Sequence, residues 1–238
     1  MTPILGLLFD KDGTLFDFRA TWGGWTRRLV KELAQDATDR AAILSGLLGY
    51  DLETGEFDPD SPVIARTTAE IRDLIIPHLR QAEAARLLAR MNQLAIENAM
   101  IEAVPLVPLF GGFAGAGLKI GLATNDAEAP ARAHLQQARI AHCFDFVAGF
   151  DSGWGGKPGA GQMQAFLQQT GLQPASVAMV GDSLHDLDAG RAAGMRTVAV
   201  LTGIAKASAL APHADVVLAD IGELPGWIAR QGKRAATG

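Results

Sequence analysis

Apolar residues come in short runs along this chain, and most runs stop abruptly at a charge, a hydroxyl or a glycine. Ile4-Leu5-Gly6-Leu7-Leu8-Phe9 ends at Asp10, Leu118 to Ala123 ends at Thr124, and Val177 to Val180 ends at Gly181-Asp182. Runs too brief for helices and without polar alternation read as strands buried on both faces of a parallel sheet. Residues 144–148, 197–201 and 215–218 repeat the pattern more weakly. The second period is helical. Residues 22–35, 39–48, 64–79 and 82–100 place apolar positions three and four apart, the last through Leu87, Leu88, Met91, Leu94 and Ala95. Gly49 to Pro62, rich in Gly, Pro and Asp, reads as a loop, and no strand candidate falls in this block.

Strands alternating with helices at 128–137, 160–170, from about 184 to 194 and near 221–230 predict an α/β fold, a doubly wound parallel sheet. An all-helical stretch after the first strand is most simply a separate unit. The predicted organisation is therefore an α/β core, residues 1–18 and 104–238, carrying an inserted helical cap domain, residues 19–103.

Composition narrows the function classes. With 48% apolar and 20% charged residues, the 238-residue chain has the make-up of a soluble globular protein. A net charge of −5, with Lys and Arg scattered, offers no basic field for nucleic acid. Cys143 is the only cysteine, so no internal disulfide or cysteine metal cluster can form, and a reducing compartment is expected. No apolar run approaches the roughly 20 residues of a membrane span, and no basic segment precedes the first apolar run as in a signal peptide. The expectation is a cytoplasmic protein without membrane or nucleic-acid partners.

The strand ends hold the candidate chemistry. Asp10 and Asp12 stand two apart, so in extended backbone their carboxylates leave on one side. Such a pair needs a cation nearby, or one carboxyl must keep its proton. An acidic turn capping the next helix is the alternative. Thr124 and Asn125 at the second strand end read locally as helix caps that satisfy free N–H groups before the helix at 128–137. Lys157, in the glycine-rich stretch from Gly153 to Gly159, is either solvated or a fixed point charge. Asp182 and Asp186 are four apart and share a face once a helix begins, whereas His185 between them is expected to point elsewhere.

Taken together, Asp10-Lys11-Asp12-Gly13-Thr14-Leu15, Thr124-Asn125, Lys157-Pro158 and Gly181-Asp182 through Asp186 resemble, in order and separation, the four motifs of the haloacid dehalogenase superfamily. The likeness is to its phosphatase branch and to the phosphoglycolate phosphatase-like group in particular. It implies a Rossmann-like core, with Asp10 as the nucleophile that forms an aspartyl-phosphate. Asp12 would protonate the leaving oxygen and then activate water. Mg²⁺ would be held by Asp10, Asp182 and the backbone carbonyl of Asp12. Asp186 would orient the metal's waters or Lys157, and Thr14 would contribute its backbone. Thr124, Asn125 and Lys157 would bind the phosphate. The implied partner is a small phosphorylated metabolite, and a monomer or a homodimer is equally compatible. Arg19, Trp22, Tyr50 and Arg66 are candidates for contacting the substrate from the helical side. A β-phosphoglucomutase-like enzyme shares the motifs, and a phosphate-binding protein without turnover remains a reading of another class. Asp12 argues against a dehalogenase, which has no need of a second acid.

Overall fold

Gly6–Phe9 (β1) carries no polar side chain and is buried throughout, as a strand covered on both faces must be. In the computed structural model, which describes residues 2–236 except 59 and 81–83, it lies inside a six-stranded sheet. The others are Lys119–Ala123 (β2), Phe146–Ala148 (β3), Val177–Gly181 (β4), Arg196–Val200 (β5) and Val216–Leu218 (β6). All pair in parallel, in the order β3-β2-β1-β4-β5-β6. Leu7 pairs with Ile120 and Ala178, and Phe9 with Leu122 and Val180. These residues face one apolar layer with Phe110 and Phe113, while Leu8 and Met179 face another with Met163 and Phe166. The two-residue period of a strand is thus satisfied on both sides.

The helices flanking the sheet are Leu106–Gly115 (α6), Glu128–Gln137 (α7), Gly161–Thr170 (α8), Leu184–Ala192 (α9), Ala207–Leu210 (α10) and Leu224–Ala236 (α11). Helix α6 has no counterpart in the sequence reading. Gly111, Gly112 and Gly115 disfavour it at about 1 kcal/mol each, yet Leu106, Phe110 and Phe113 fall on one face and are buried. Phe110 lies 5.1 Å from Phe9, ring to ring, so tertiary packing overrides local propensity.

Between β1 and β2 the described residues form Phe18–Ala34 (α1), Thr38–Leu47 (α2), Pro62–Ala65 (α3), Thr68–Ile75 (α4) and Leu87–Ile96 (α5). They enclose an apolar cluster of their own that includes Trp22, Trp25, Leu29, Leu44, Ile71 and Met91. Asp17 caps α1 by accepting from the Ala20 N–H at 2.8 Å, which starts that helix four residues before the expected position 22. The expected helix at 64–79 is broken. Arg66 is extended, and Thr67 starts α4 with a capping box to Glu70. Helix α5 is shorter than the expected 82–100, and residues 82 and 83 lie outside those described. A bridge, Tyr50 to Phe57, sits in the predicted loop. The segment leaves and rejoins the core side by side, because the Asp17 N–H donates to Ile101 O at 2.8 Å and the Ala103 N–H to Leu15 O at 2.9 Å.

Candidate active site

The sheet order reverses beside β1, and open parallel sheets bind ligands beyond their carboxyl ends at such a point. Asp10, Thr124 and Asp182 each follow the last residue of a strand there, β1, β2 and β4. Ladder bonds aim them: Asp10 N–H donates to Val180 O at 2.8 Å and Thr124 N–H to Ala148 O at 3.0 Å. After Asp10 the chain turns sharply, with Leu15 N–H reaching back to Lys11 O at 2.9 Å. Gly13 makes that turn at φ 78°, and a methyl group built there would sit 2.4 Å from an Asp182 oxygen. Gly203 packs against the same carboxylate, so Asp182 lies in a cradle that only glycine backbones leave open.

Lys157 is the cation of the site. Its Nζ lies 2.5 Å from Asp10 Oδ1 and 2.6 Å from Asp186 Oδ1, and all three residues are buried. The other oxygen of Asp186 accepts from Ser183 N–H at 3.0 Å and Ser183 Oγ at 2.6 Å, a capping box at the start of α9. Asp186 thereby holds Lys157 on a rigid helix end. Burial opposes the ammonium charge, but Asp10 and Asp186 outweigh it and raise the Lys157 pKa above the lysine norm. The acids respond oppositely. Burial, only partly offset by Lys157, pushes Asp10 up to about 7, with Asp186 and Asp12 adding to the rise. Burial and the Asp10 and Asp186 charges drive Asp182 well above its ordinary range.

A divalent cation fits this donor set. Oxygens of Asp10, Asp182 and Asp186 lie within 4.8 Å of one another, an all-carboxylate hard-oxygen cluster that one lysine cannot neutralise. The sign of the pH effect follows. Between the ordinary aspartate value of 3.8 and about 7 the folded chain holds a proton on Asp10 that the unfolded chain has released. Without a cation, stability therefore falls as pH rises through that window. Mg²⁺ should raise the melting temperature more at about pH 7.5 than at about pH 5. Equal shifts at both would place the ion elsewhere.

Thr124 is buried with its hydroxyl accepting from Asp126 N–H at 3.0 Å, and it lines a cavity with Asp10, Asp12, Asn125, Lys157, Asp182 and Asp186. Asn125 is tied to the Lys157 backbone in both directions, donating to its carbonyl at 3.0 Å and accepting from its N–H at 2.7 Å. Thr14 is buried, and its hydroxyl finds no partner among the described residues. Trp22 and Arg66 line the cavity from the helical segment with Phe18, Trp25 and Ile71. Arg19 pairs with Glu56 at the surface, and Tyr50 packs on Phe57 inside the helical cluster. His185 is among the residues that line the cavity. Cys143 is half-buried, with burial raising its thiol pKa, and stands outside this constellation. Sequence reasoning missed Lys11, Asp126 and His134, which pack beneath Asp12. The one signal for them was a lysine at a position where the flanking strand is apolar.

A phosphoglycolate phosphatase of Rhodospirillum rubrum is 29% identical over 93% of this chain and 90% of its own length. Among solved structures, CbbY from Rhodobacter sphaeroides in complex with phosphate superposes with a TM-score of 0.67 at 22% identity, covering 93% of this chain and 96% of that one. β-Phosphoglucomutase from Clostridium difficile superposes with a TM-score of 0.70 at 16% identity, covering 99% and 100%, which likewise speaks for the fold alone. The model of the haloacid dehalogenase-like hydrolases matches residues 4–194, four strand ends and the helical segment included, and the chain belongs to that family.

Proposed function

We propose that this protein is a Mg²⁺-dependent phosphatase that hydrolyses a small phosphomonoester through an aspartyl-phosphate on Asp10. One observation carries the reading: a buried lysine ammonium fixed 2.5 Å from a strand-end carboxylate that sits among further acids. Uncatalysed phosphate-monoester hydrolysis is so slow that up to about 10²¹-fold acceleration is needed, and proton transfer alone supplies about 10²- to 10⁴-fold. Charge neutralisation and covalent division of the reaction must provide the rest.

In the first step an Asp10 oxygen bonds to phosphorus and the bond to the leaving oxygen breaks, with Asp12 delivering a proton to that oxygen. In the second, water attacks phosphorus, its proton passes to Asp12, and the carboxylate of Asp10 is released. Lys157 balances the phosphoryl charge, held in place by Asp186 and by the Asn125 bonds to its backbone. Thr124 offers its hydroxyl to a phosphate oxygen. Asp10, Asp182 and the Asp12 carbonyl would hold Mg²⁺, which supplies charge stabilisation when bound.

We further propose that residues 19–103 act as a lid domain on the core of residues 1–18 and 104–238. The adjacent crossings at Asp17 and Ala103 suit a hinge, and the cavity has walls from both parts. Such enclosure favours a metabolite over a macromolecule, and the similarity to a phosphoglycolate phosphatase supports a substrate of that size. The test is kcat/KM over a panel of small phosphomonoesters, a phosphopeptide and a phosphorylated oligonucleotide, with Mg²⁺ and with EDTA. A small ester should lead, and activity should vanish with EDTA and return with Mg²⁺. A macromolecule in the lead would refute the lid; full activity in EDTA would refute the metal.

A further inference from the structure

Lys11 has no part in the mechanism above, yet it is completely buried. Burying an ammonium costs several kcal/mol unless its donors are all matched. Here they are. Nζ lies 2.9 and 2.8 Å from the two oxygens of Asp12, 3.3 Å from Asp126 Oδ2 and 3.1 Å from His134 Nδ1. His134 Nε2 lies 2.6 Å from the carbonyl of Ala95, which can only accept, so its proton sits on Nε2 and Nδ1 is free to accept from Lys11. Burial and the neighbouring Lys11 charge bring the His134 pKa down to about 4, in keeping with a neutral ring.

The other end of each tie reaches the helical segment. Ala95 lies in the last turn of α5, Thr68 at the start of α4 donates to Asp126 Oδ1 at 3.3 Å, and the Trp22 ring of α1 lies 5.1 Å from the ammonium. Three helices of the segment thus grip the groups that surround Lys11, and Lys11 in turn grips both oxygens of Asp12.

We propose that Lys11 is a positioning residue that holds Asp12 aimed for the second step and makes that aim depend on the helical segment being seated. The proposal rests on Asp12 being the proton-transfer group. With Nζ 2.9 and 2.8 Å from its two oxygens, Asp12 is held in one orientation as the carboxylate that remains once the leaving group has taken its proton. That is the form that must receive a proton from water while the water oxygen bonds to phosphorus, the bond from phosphorus to the Asp10 oxygen breaks, and its electron pair returns to Asp10. If the helices lift, the ring, the hydroxyl and the carbonyl depart, and the ammonium can hydrate and release Asp12.

The readout is the split between phosphoenzyme formation and its hydrolysis, measured by stopped flow with p-nitrophenyl phosphate and by acid-quench trapping of the phosphoenzyme. This ester needs little help from an acid in the first step. In Lys11→Met the steady-state rate should fall about a hundredfold and the burst of p-nitrophenolate less than tenfold, so phosphoenzyme accumulates. Thr68→Val, which leaves Lys11 in place, should show the same split at about threefold, and it decides the matter if Lys11→Met does not fold. Equal losses in both phases, or a Thr68→Val enzyme without the split, would overturn the proposal. Asp12→Asn is the control and should accumulate phosphoenzyme most. If it does and Lys11→Met does not, Lys11 alone is misassigned; if it does not, the assignment of Asp12 fails and the proposal fails with it.

Discussion

Asp10→Asn is expected to lower turnover at least about a thousandfold while leaving a folded protein. An amide has nearly the shape of the carboxylate but is a far weaker nucleophile, so the aspartyl-phosphate does not form. The fold should not suffer. The ladder bond that fixes residue 10 is made by its backbone to Val180 and survives the change. Burial already opposes the Asp10 charge strongly enough to push its pKa up to about 7, so removing that charge relieves a penalty when no cation is bound. The melting temperature without metal should therefore equal or exceed that of the wild type at neutral pH, and Mg²⁺ should raise it less. Turnover within tenfold of wild type in a folded variant would remove Asp10 as nucleophile. Unfolding of the variant would make Asp10 a structural residue first.

That such a substitution can be chosen from the sequence reflects where the chemistry sits. Asp10, Thr124 and Asp182 are legible because each ends an apolar run, and a strand fixes which residue first emerges from the sheet. Lys157 and Asp186 were legible only as types in a loop and at a helix start. The capping box that commits Asp186 to Ser183, and leaves one oxygen for Lys157, appears only once the backbone is placed. Helix α6 was hidden because its glycines contradict it locally while Phe110 and Phe113 gain their stability from Phe9, about a hundred residues earlier in the chain. The break at Arg66 was present as the Thr67-to-Glu70 spacing, but the surrounding apolar period masked it. Lys11 and His134 lie 123 positions apart, and no pattern along the chain connects them.

Lys157→Met should cost both activity and stability, and the two losses should respond differently to Mg²⁺. With the ammonium gone, Asp10, Asp182 and Asp186 remain buried together with no lysine between them. Removing one partner of a buried ion pair costs roughly 3–5 kcal/mol, and the acids can evade part of that by taking up protons. Their pKa values then rise beyond those of the wild type, where Lys157 lowers both Asp10 and Asp182. A folded state that binds more protons than the unfolded one loses stability as pH rises. The variant should consequently fall furthest below the wild type at about pH 8 and approach it at about pH 5. Mg²⁺ should restore much of the lost stability, because a divalent ion answers the carboxylate charge. It should not restore turnover, which is expected to stay about a hundredfold or more below wild type, since the phosphoryl oxygens still lack the fixed cation beside Asp10. Thermal melts at the two pH values with and without Mg²⁺, set beside kcat, test each part. A variant as stable as wild type at pH 8 without metal would show that Lys157 is not compensating these acids. Turnover rescued by Mg²⁺ would show that the lysine serves only to balance charge in the resting site.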